Sequence, residues 1–420
     1  MKVAIVGAGW AGCAAAVEAT RLGQQVTIFE ASRTAGGRAR RVIATLNGLP
    51  VDLDNGQHIL IGAYAETLRL MQDLGVDELA AFLRLPLTMQ FPDGSGLKLP
   101  DWPAPLDALA GIARARGWSW ADRLSLLKVA LGWQLGGFEC SPQLSVSDLC
   151  RNLRPGPMTA LIEPLCVSAL NTPPDCASGQ VFLRVMRDAL FSQSGGSNLL
   201  LPRLDLSALL PDAALAWLVA KGASVRMGVR VQALAPDAPG WQLDGEGFDR
   251  VVLACPPFEA ARLVAGSGAP AGEWLAMARG LRYEALSTVY AYSPGARLRQ
   301  PMLALPSSAD EPAQFAFDRA WLGGPAGLLA FVISASRGDS AQLTGLVLAQ
   351  AARQLGLTEL QPVQTVVEKR ATFACTPGLK RPAAQIAPGL VACGDYIAGP
   401  YPATLEGAVR SGLEAVRRPD

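Results

Sequence analysis

The opening thirty residues constrain this chain more than any other stretch. Residues 3–6 (Val-Ala-Ile-Val) are a short apolar run of strand type. They lead directly into Gly7-Ala8-Gly9-Trp10-Ala11-Gly12. An alanine-rich, helix-like stretch follows and stops at Gly23, and a second apolar run ends at Glu30. Strand, glycine turn, helix, strand and acid together form the dinucleotide-binding pattern in its required context; a lone G-x-G-x-x-G would be a weak signal. Each part has a physical task. Gly7 permits the sharp exit from the strand. Gly9 has no Cβ, so the backbone can approach a pyrophosphate, and Gly12 lets the helix pack close to the strand. The helix start, with Ala8, Trp10 and Ala11 between the glycines, offers free N–H groups and a positive dipole end to phosphates. Glu30 is spaced to accept hydrogen bonds from ribose hydroxyls, with Ala31 beside it.

Composition narrows the function classes. A chain of 420 residues suggests two or three domain-sized units. Half the residues are hydrophobic and only 17% are charged, which implies a weakly charged surface or much apolar lining inside. The 37 basic and 36 acidic side chains leave a net charge of +1, with no footprint for nucleic acid. No run approaches the ~18 apolar residues of a spanning helix, and the glycines break the N-terminal apolar run too early for a signal peptide. The eight cysteines include no C-x-x-C pair, so neither a metal site nor a redox relay is expected and reduced cytosolic thiols are the default. His58 is the single histidine, which argues against a histidine-based triad or metal centre.

After Glu30 comes Ala-Ser-Arg-Thr-Ala-Gly36-Gly37-Arg38. Two glycines let the backbone run beside the cofactor, and Arg38 can neutralise a pyrophosphate. This arrangement resembles the FAD-dependent amine oxidase and carotenoid/squalene desaturase superfamily. The resemblance implies an α/β fold: a Rossmann-type FAD-binding domain with an inserted α+β substrate-binding domain. The nucleotide-binding elements are not contiguous. They are expected at 1–75, 209–257 and 381–420, with 76–208 and 258–380 forming the second domain. In the middle block, 212–220 reads as helix, and 224–228, 230–234, 241–243 and 250–254 read as strands. A strand over 225–231 is expected to extend the sheet and to place the Val231 backbone at the adenine. The second domain is expected to hold helices and a mixed sheet with 287–292 and 327–333.

Residues 51–58, Val-Asp-Leu-Asp54-Asn55-Gly56-Gln57-His58, resemble the superfamily element that brings backbone against the flavin ring. His58 is either a contact to flavin or substrate or a hydrogen-bonded structural histidine. The resemblance places Gly394 and Asp395 at the ribityl chain or phosphate. It makes the 403–412 run, with Thr404, Leu405 and Glu406, a helix start facing the flavin pyrimidine end. For Glu406 a helix-start carboxylate is the preferred reading over a catalyst.

The stretches 54–64, 165–174, 180–188 and 198–207 resemble one subgroup, the squalene-associated FAD-dependent desaturases read as hydroxysqualene dehydroxylases of bacterial hopanoid and squalene synthesis. That resemblance implies a reaction in which hydroxysqualene and reduced FAD give squalene, oxidised FAD and water. The chemistry needs a proton donor for the departing allylic hydroxyl and a dry apolar tunnel. Asp54, His58, Tyr64 and Tyr401 are the candidate donors. FAD is expected to be non-covalent, since no histidine or cysteine attachment motif is evident. No second dinucleotide unit is visible, so an external electron donor is expected. Residues 102–138 carry Trp102, Trp118, Trp120 and Trp133 among apolar and basic residues. They read either as a membrane-interface helical region admitting a C30 isoprenoid substrate or as a core helix. The expected location is cytoplasmic, peripheral on the inner face of the membrane, with contact to upstream squalene-pathway enzymes. The alternatives are a desaturase or oxidase of a carotenoid, other isoprenoid or amine, and a non-catalytic FAD-bound scaffold.

Overall fold

The apolar runs around the N-terminal glycines pair as parallel strands. In a computed structural model, which describes residues 1–103, 105–190 and 195–417, they form the centre of a six-stranded sheet. Its order is Ser224–Met227, Gln25–Glu30, Lys2–Val6, Arg250–Leu253, Leu390–Ala392 and Gln385–Ala387. All neighbours are parallel except the last pair. Val3 sits opposite Val26 and Ile5 opposite Ile28 on one face, Ala4, Val6 and Phe29 point to the other, and all are buried, as a parallel sheet requires. The helix Trp10–Arg21 packs on this sheet. Its alanines bring the C-terminal helix Leu405–Arg417 so near that a Cβ on Gly412 would stand 2.2 Å from the Ala11 carbonyl oxygen.

The sheet differs from the sequence expectation in one strand. The strand ends at Met227, and residues 230–233 are not extended in a sheet. Pairing resumes at Leu234–Asp237, which joins Gly240–Leu243 and Glu246–Phe248 in a separate antiparallel ribbon. Gly228, with φ at +71°, turns the chain out of register after Met227.

A second, five-stranded sheet has the order Met302–Ala304, Phe315–Asp318, Leu328–Ser334, Tyr283–Tyr292 and Gln361–Phe373. It is antiparallel throughout rather than mixed. Alternation divides its two faces. Leu329, Phe331 and Ile333 pack with Leu343 and Val347 of the helix Ser340–Leu355. Leu328, Ala330 and Val332 turn the other way, with Met302, Phe315 and Phe317, into a cluster with Leu87, Met89 and Leu126.

The helix Trp120–Leu135 is opened by a capping box between Ser119 and Asp122. Of its sixteen residues only Leu126 is buried. Trp120, Leu124, Leu131 and Leu135 are 71%, 63%, 55% and 81% exposed. It is a surface helix, so the core-helix alternative does not hold for its outer face. Trp118 is buried, and Trp133 packs edge-on against Phe182. Among the described residues no helix is long and apolar enough to cross a membrane.

Candidate cofactor and substrate site

A cavity of about 800 Å³ runs from the glycine turn to the inner face of the antiparallel sheet. At one end are Gly7, Gly9, Trp10, Ala11, Glu30, Ala31, Gly36, Gly37, Arg38, Arg230 and Val231. At the other are Leu87, Met89, Met302, Phe315, Phe317 and Val332. Asn55, Gly56, Gln57, His58, Tyr64, Asp188, Asp395, Tyr401, Thr404 and Leu405 also line it.

The glycines divide their tasks as their surroundings dictate. Gly7 has φ at +113°, and a Cβ there would lie 2.8 Å from the Ala254 carbonyl oxygen. On Gly12 it would lie 1.9 Å from the Gly7 carbonyl oxygen. Gly12 and the buried Ala8 shape the turn from behind and are not on the cavity wall, whereas Gly7 both makes the turn and lines the cavity. Gly9 is different: a Cβ there meets no protein atom within 4 Å. It begins the helix Trp10–Arg21 and bridges to Gly36, while Gly37 lies across from it with φ at +63°. This is an empty cradle at a helix N-terminus, suited to a pyrophosphate.

Glu30 closes its strand with one carboxylate oxygen on the Ala8 N–H at 2.7 Å and the other on the Ser32 N–H at 2.7 Å. Each oxygen keeps acceptor capacity for a ribose hydroxyl. Arg38 donates to Asp395 at 2.6 Å and to the Ala371 carbonyl at 2.6 Å. The Asp395 carboxylate beside it holds the guanidinium charged despite burial. Trp10 is fixed by its indole N–H to Ala39 O at 3.0 Å. The Val231 carbonyl accepts from Arg262 at 2.7 Å. Asn55 spans Arg38 O and Glu368, both at 3.0 Å. Gly394 takes φ at +147° and donates its N–H to Ser411. Thr404 caps the C-terminal helix by accepting from the Gly407 N–H at 3.0 Å.

Besides Ala8 and Gly12, two sequence candidates, Asp54 and Glu406, lie off the cavity wall. Asp54 is fully buried and off the cavity wall: its Oδ1 accepts from the Leu206 N–H at 2.8 Å, and Tyr290 bonds its backbone. Burial pushes its carboxyl up to about 6, against the pull of Arg319. Strand alternation explains the difference, since Asp54 ends Leu49–Asp54 facing inward while Asn55 and its successors turn to the cavity. Glu406 is also fully buried. It accepts from the Glu66 and Thr67 N–H groups at 3.1 and 2.9 Å, from the Thr67 hydroxyl at 2.7 Å and from Arg410 at 2.6 Å. It caps the helix Ala65–Asp73 and does not face the cofactor cavity.

His58 and Tyr64 do face the cavity. The Nδ1 of His58 lies 2.6 Å from the Gly56 carbonyl, and burial lowers its pKa. The ring is therefore neutral, with Nδ1 carrying the proton toward Gly56. Burial, and then the nearby Glu406 carboxylate, raise the Tyr64 phenol. Tyr401 donates to Asp188 at 2.7 Å. Asp188 is not among the candidate residues of the sequence; it falls within the 180–188 stretch, and no spacing there links it to Tyr401.

The geometry defines a flavin-dinucleotide oxidoreductase with an apolar substrate chamber, and FAD fits the cradle, the ribose acceptor and the Arg38–Asp395 pair. Comparison with known proteins agrees. The model of the family described as "Flavin containing amine oxidoreductase" matches residues 10–418. A hydroxysqualene dehydroxylase of Rhodopseudomonas palustris is 31% identical, over 98% of this chain and 97% of that one. One of Sinorhizobium fredii is 26% identical, over 99% and 97%. An oxidoreductase structure from Methanosarcina mazei superposes over all of both chains with a TM-score of 0.74 at 15% identity, which speaks for the fold. The chain belongs to the hydroxysqualene dehydroxylase family, within the flavin-containing amine oxidoreductases. It is an FAD-dependent oxidoreductase.

Proposed function

We propose that this enzyme reductively removes the hydroxyl group of hydroxysqualene to give squalene, in bacterial squalene and hopanoid synthesis. The observation that carries this reading is the continuity of the cavity: the nucleotide cradle opens into a chamber walled by Met89, Met302, Phe315, Phe317 and Val332. A C30 isoprenoid with one oxygen matches a chamber that is apolar almost throughout. When bound, reduced FAD supplies the hydride equivalent. The chain's own residues bind the nucleotide through Gly9, Glu30 and the Arg38–Asp395 pair, hold the flavin region against Asn55–His58 and Thr404, and exclude water from the apolar chamber. The division into a discontinuous nucleotide unit (1–75, 209–257, 381–420) and a substrate unit (76–208, 258–380) goes with this assignment. FAD is held non-covalently, and electrons come from an external donor.

The same reading places the enzyme peripherally on the cytoplasmic face of the membrane. Trp102, Leu106 and Leu109 are exposed, as are Trp120, Leu124, Leu131 and Leu135 of the helix Trp120–Leu135. Arg114 lies over Trp102 at 5.1 Å and Arg123 over Trp120 at 4.7 Å, an arrangement suited to the headgroup boundary. Leu126, on the inner side of that helix, belongs to the same cluster as the chamber residues Met89 and Phe315. The membrane-facing helix thus backs onto the chamber. Product analysis tests the reaction: reduced enzyme with hydroxysqualene should yield squalene. A desaturase reading instead requires oxidised enzyme to bleach on adding squalene or a carotenoid precursor, and that result without squalene formation would replace the proposal.

A further inference from the structure

The departing hydroxyl needs a proton, and four groups near the site have been candidates to give it. Their surroundings separate them. Asp54 lies behind the cavity wall. His58 is neutral and its one N–H is directed at Gly56 O. Tyr64 lines the cavity too, but burial and then the charge of Glu406 hold its phenolic proton. Tyr401 remains, on the segment leading into the C-terminal helix and on the cavity wall.

Its setting is built for more than a surface phenol. The Tyr401 hydroxyl donates to Asp188 Oδ2 at 2.7 Å. Asp188 is 8% exposed, also lines the cavity, and is held by two arginines, Arg184 Nε on Oδ2 at 2.6 Å and Arg187 Nε on Oδ1 at 3.0 Å. The guanidinium groups of Arg184 and Arg410 lie 5.6 and 5.0 Å from the Tyr401 ring centroid. Arg410 is itself anchored by Glu406. Resting on the dehydroxylation reading above, we propose that Tyr401 is the catalytic acid that protonates the leaving hydroxyl and that Asp188 is the positioning residue that aims it.

The arrangement meets the needs of that step. When the phenolic hydrogen turns from Asp188 to a substrate hydroxyl, each carboxylate oxygen keeps an arginine partner, so no buried charge is stranded. The C–O bond breaks with its electron pair on oxygen, the Tyr401 proton completes water, and water leaves. Reduced FAD, when bound, would supply the hydride that the carbon requires. The phenolate stays beside Arg184 and Arg410 until it regains a proton from solvent. Burial and the Asp188 bond raise the Tyr401 pKa, so the hydroxyl holds its proton until the reaction draws on it.

Leaving-group chemistry tests the assignment. Tyr401→Phe should keep the wild-type denaturation midpoint and FAD content yet turn hydroxysqualene over about 100-fold more slowly, the lower range for loss of a general acid. The corresponding allylic chloride needs no proton to depart, and the variant should process it at close to the wild-type rate. The alcohol's binding advantage over squalene, read by flavin fluorescence, should shrink by about threefold to tenfold. Equal loss on alcohol and chloride, or an undiminished alcohol rate, overturns the proposal. Wild-type enzyme that leaves hydroxysqualene untouched instead overturns the functional reading beneath it.

Asp188→Asn provides a second reading. The charged and titratable groups around Tyr401 are Arg184, Arg187 and Asp188 on the helix Gly179–Leu190, Arg410 and Glu406 on the C-terminal helix, and Tyr64. Asp188 holds the phenol's pKa up, so its removal should move the basic limb of the pH–rate profile to lower pH. An unmoved limb excludes the positioning role.

Discussion

Gly9→Ala separates cofactor binding from folding at a single methyl group. Gly9 has φ −74° and ψ 179°, a backbone any residue adopts, and an added Cβ meets no protein atom within 4 Å. Alanine restricts the unfolded chain but is a poorer first residue for the helix, so apoprotein stability should change by no more than about 1 kcal/mol in either direction. The methyl occupies the space through which the pyrophosphate approaches the helix start. Displacing two charge-assisted hydrogen bonds there removes about 1.5–3 kcal/mol each, so Kd for FAD should rise at least about a hundredfold. Urea denaturation of apoprotein and fluorescence titration with FAD measure the two quantities separately. Gly12→Ala is the contrasting control: its Cβ would sit 1.9 Å from the Gly7 carbonyl oxygen, so the apoprotein itself should lose about 1–3 kcal/mol or more. A Gly9→Ala protein that binds FAD normally would refute the placement of the pyrophosphate. One that unfolds like Gly12→Ala would show the turn to be packed where the structure leaves it open.

Other expectations follow from the same geometry. Glu406→Gln breaks the pair between the buried Glu406 and the part-exposed Arg410 and weakens a helix cap, so stability should fall by about 1–3 kcal/mol; loss of FAD affinity at unchanged stability would return Glu406 to the cofactor site. Asp54 has its folded pKa raised from 3.8 to about 6, so its contribution is fully present below pH 3.8 and is lost as pH rises through 6. Between pH 3.5 and 7.5, wild type should lose about 3 kcal/mol relative to Asp54→Asn, and parallel denaturation profiles for the two proteins would exclude a raised Asp54. Replacing Trp120, Leu124, Leu131 and Leu135 with glutamine alters exposed positions only. Liposome flotation should fall while FAD content and denaturation midpoint hold within about 0.5 kcal/mol per site, and undiminished flotation would dismiss this face as the membrane contact.

What was legible in the sequence was local. The glycine turn, its flanking strands and Glu30 lie within thirty residues, and the function of each follows from backbone geometry. The C-terminal helix start could be read for the same reason. Strand partners far apart in sequence could not. The antiparallel order of the second sheet depends on tertiary pairing, for instance of Tyr283–Tyr292 with both Leu328–Ser334 and Gln361–Phe373. The two misplaced carboxylates have a common cause: a motif fixes a residue's position along the chain but not the side to which it points. Asp54 and Glu406 sit beside cavity residues in sequence, yet each turns into a buried polar contact behind the wall. Asp188 shows the converse. An arginine four residues before it, at Arg184, is the usual mark of an exposed helix pair. Its bond to Tyr401, 213 residues away, appears only once the chain is folded.

The central claim is that electrons pass from reduced FAD to the carbon that loses its hydroxyl. An anaerobic single turnover tests it most directly: photoreduced enzyme is mixed with hydroxysqualene in deuterated water, and flavin absorbance is followed while products are extracted. One squalene should form for each flavin reoxidised, with deuterium at the former carbinol carbon. Flavin that stays reduced while hydroxysqualene is recovered unchanged, or reoxidation without squalene, would contradict it.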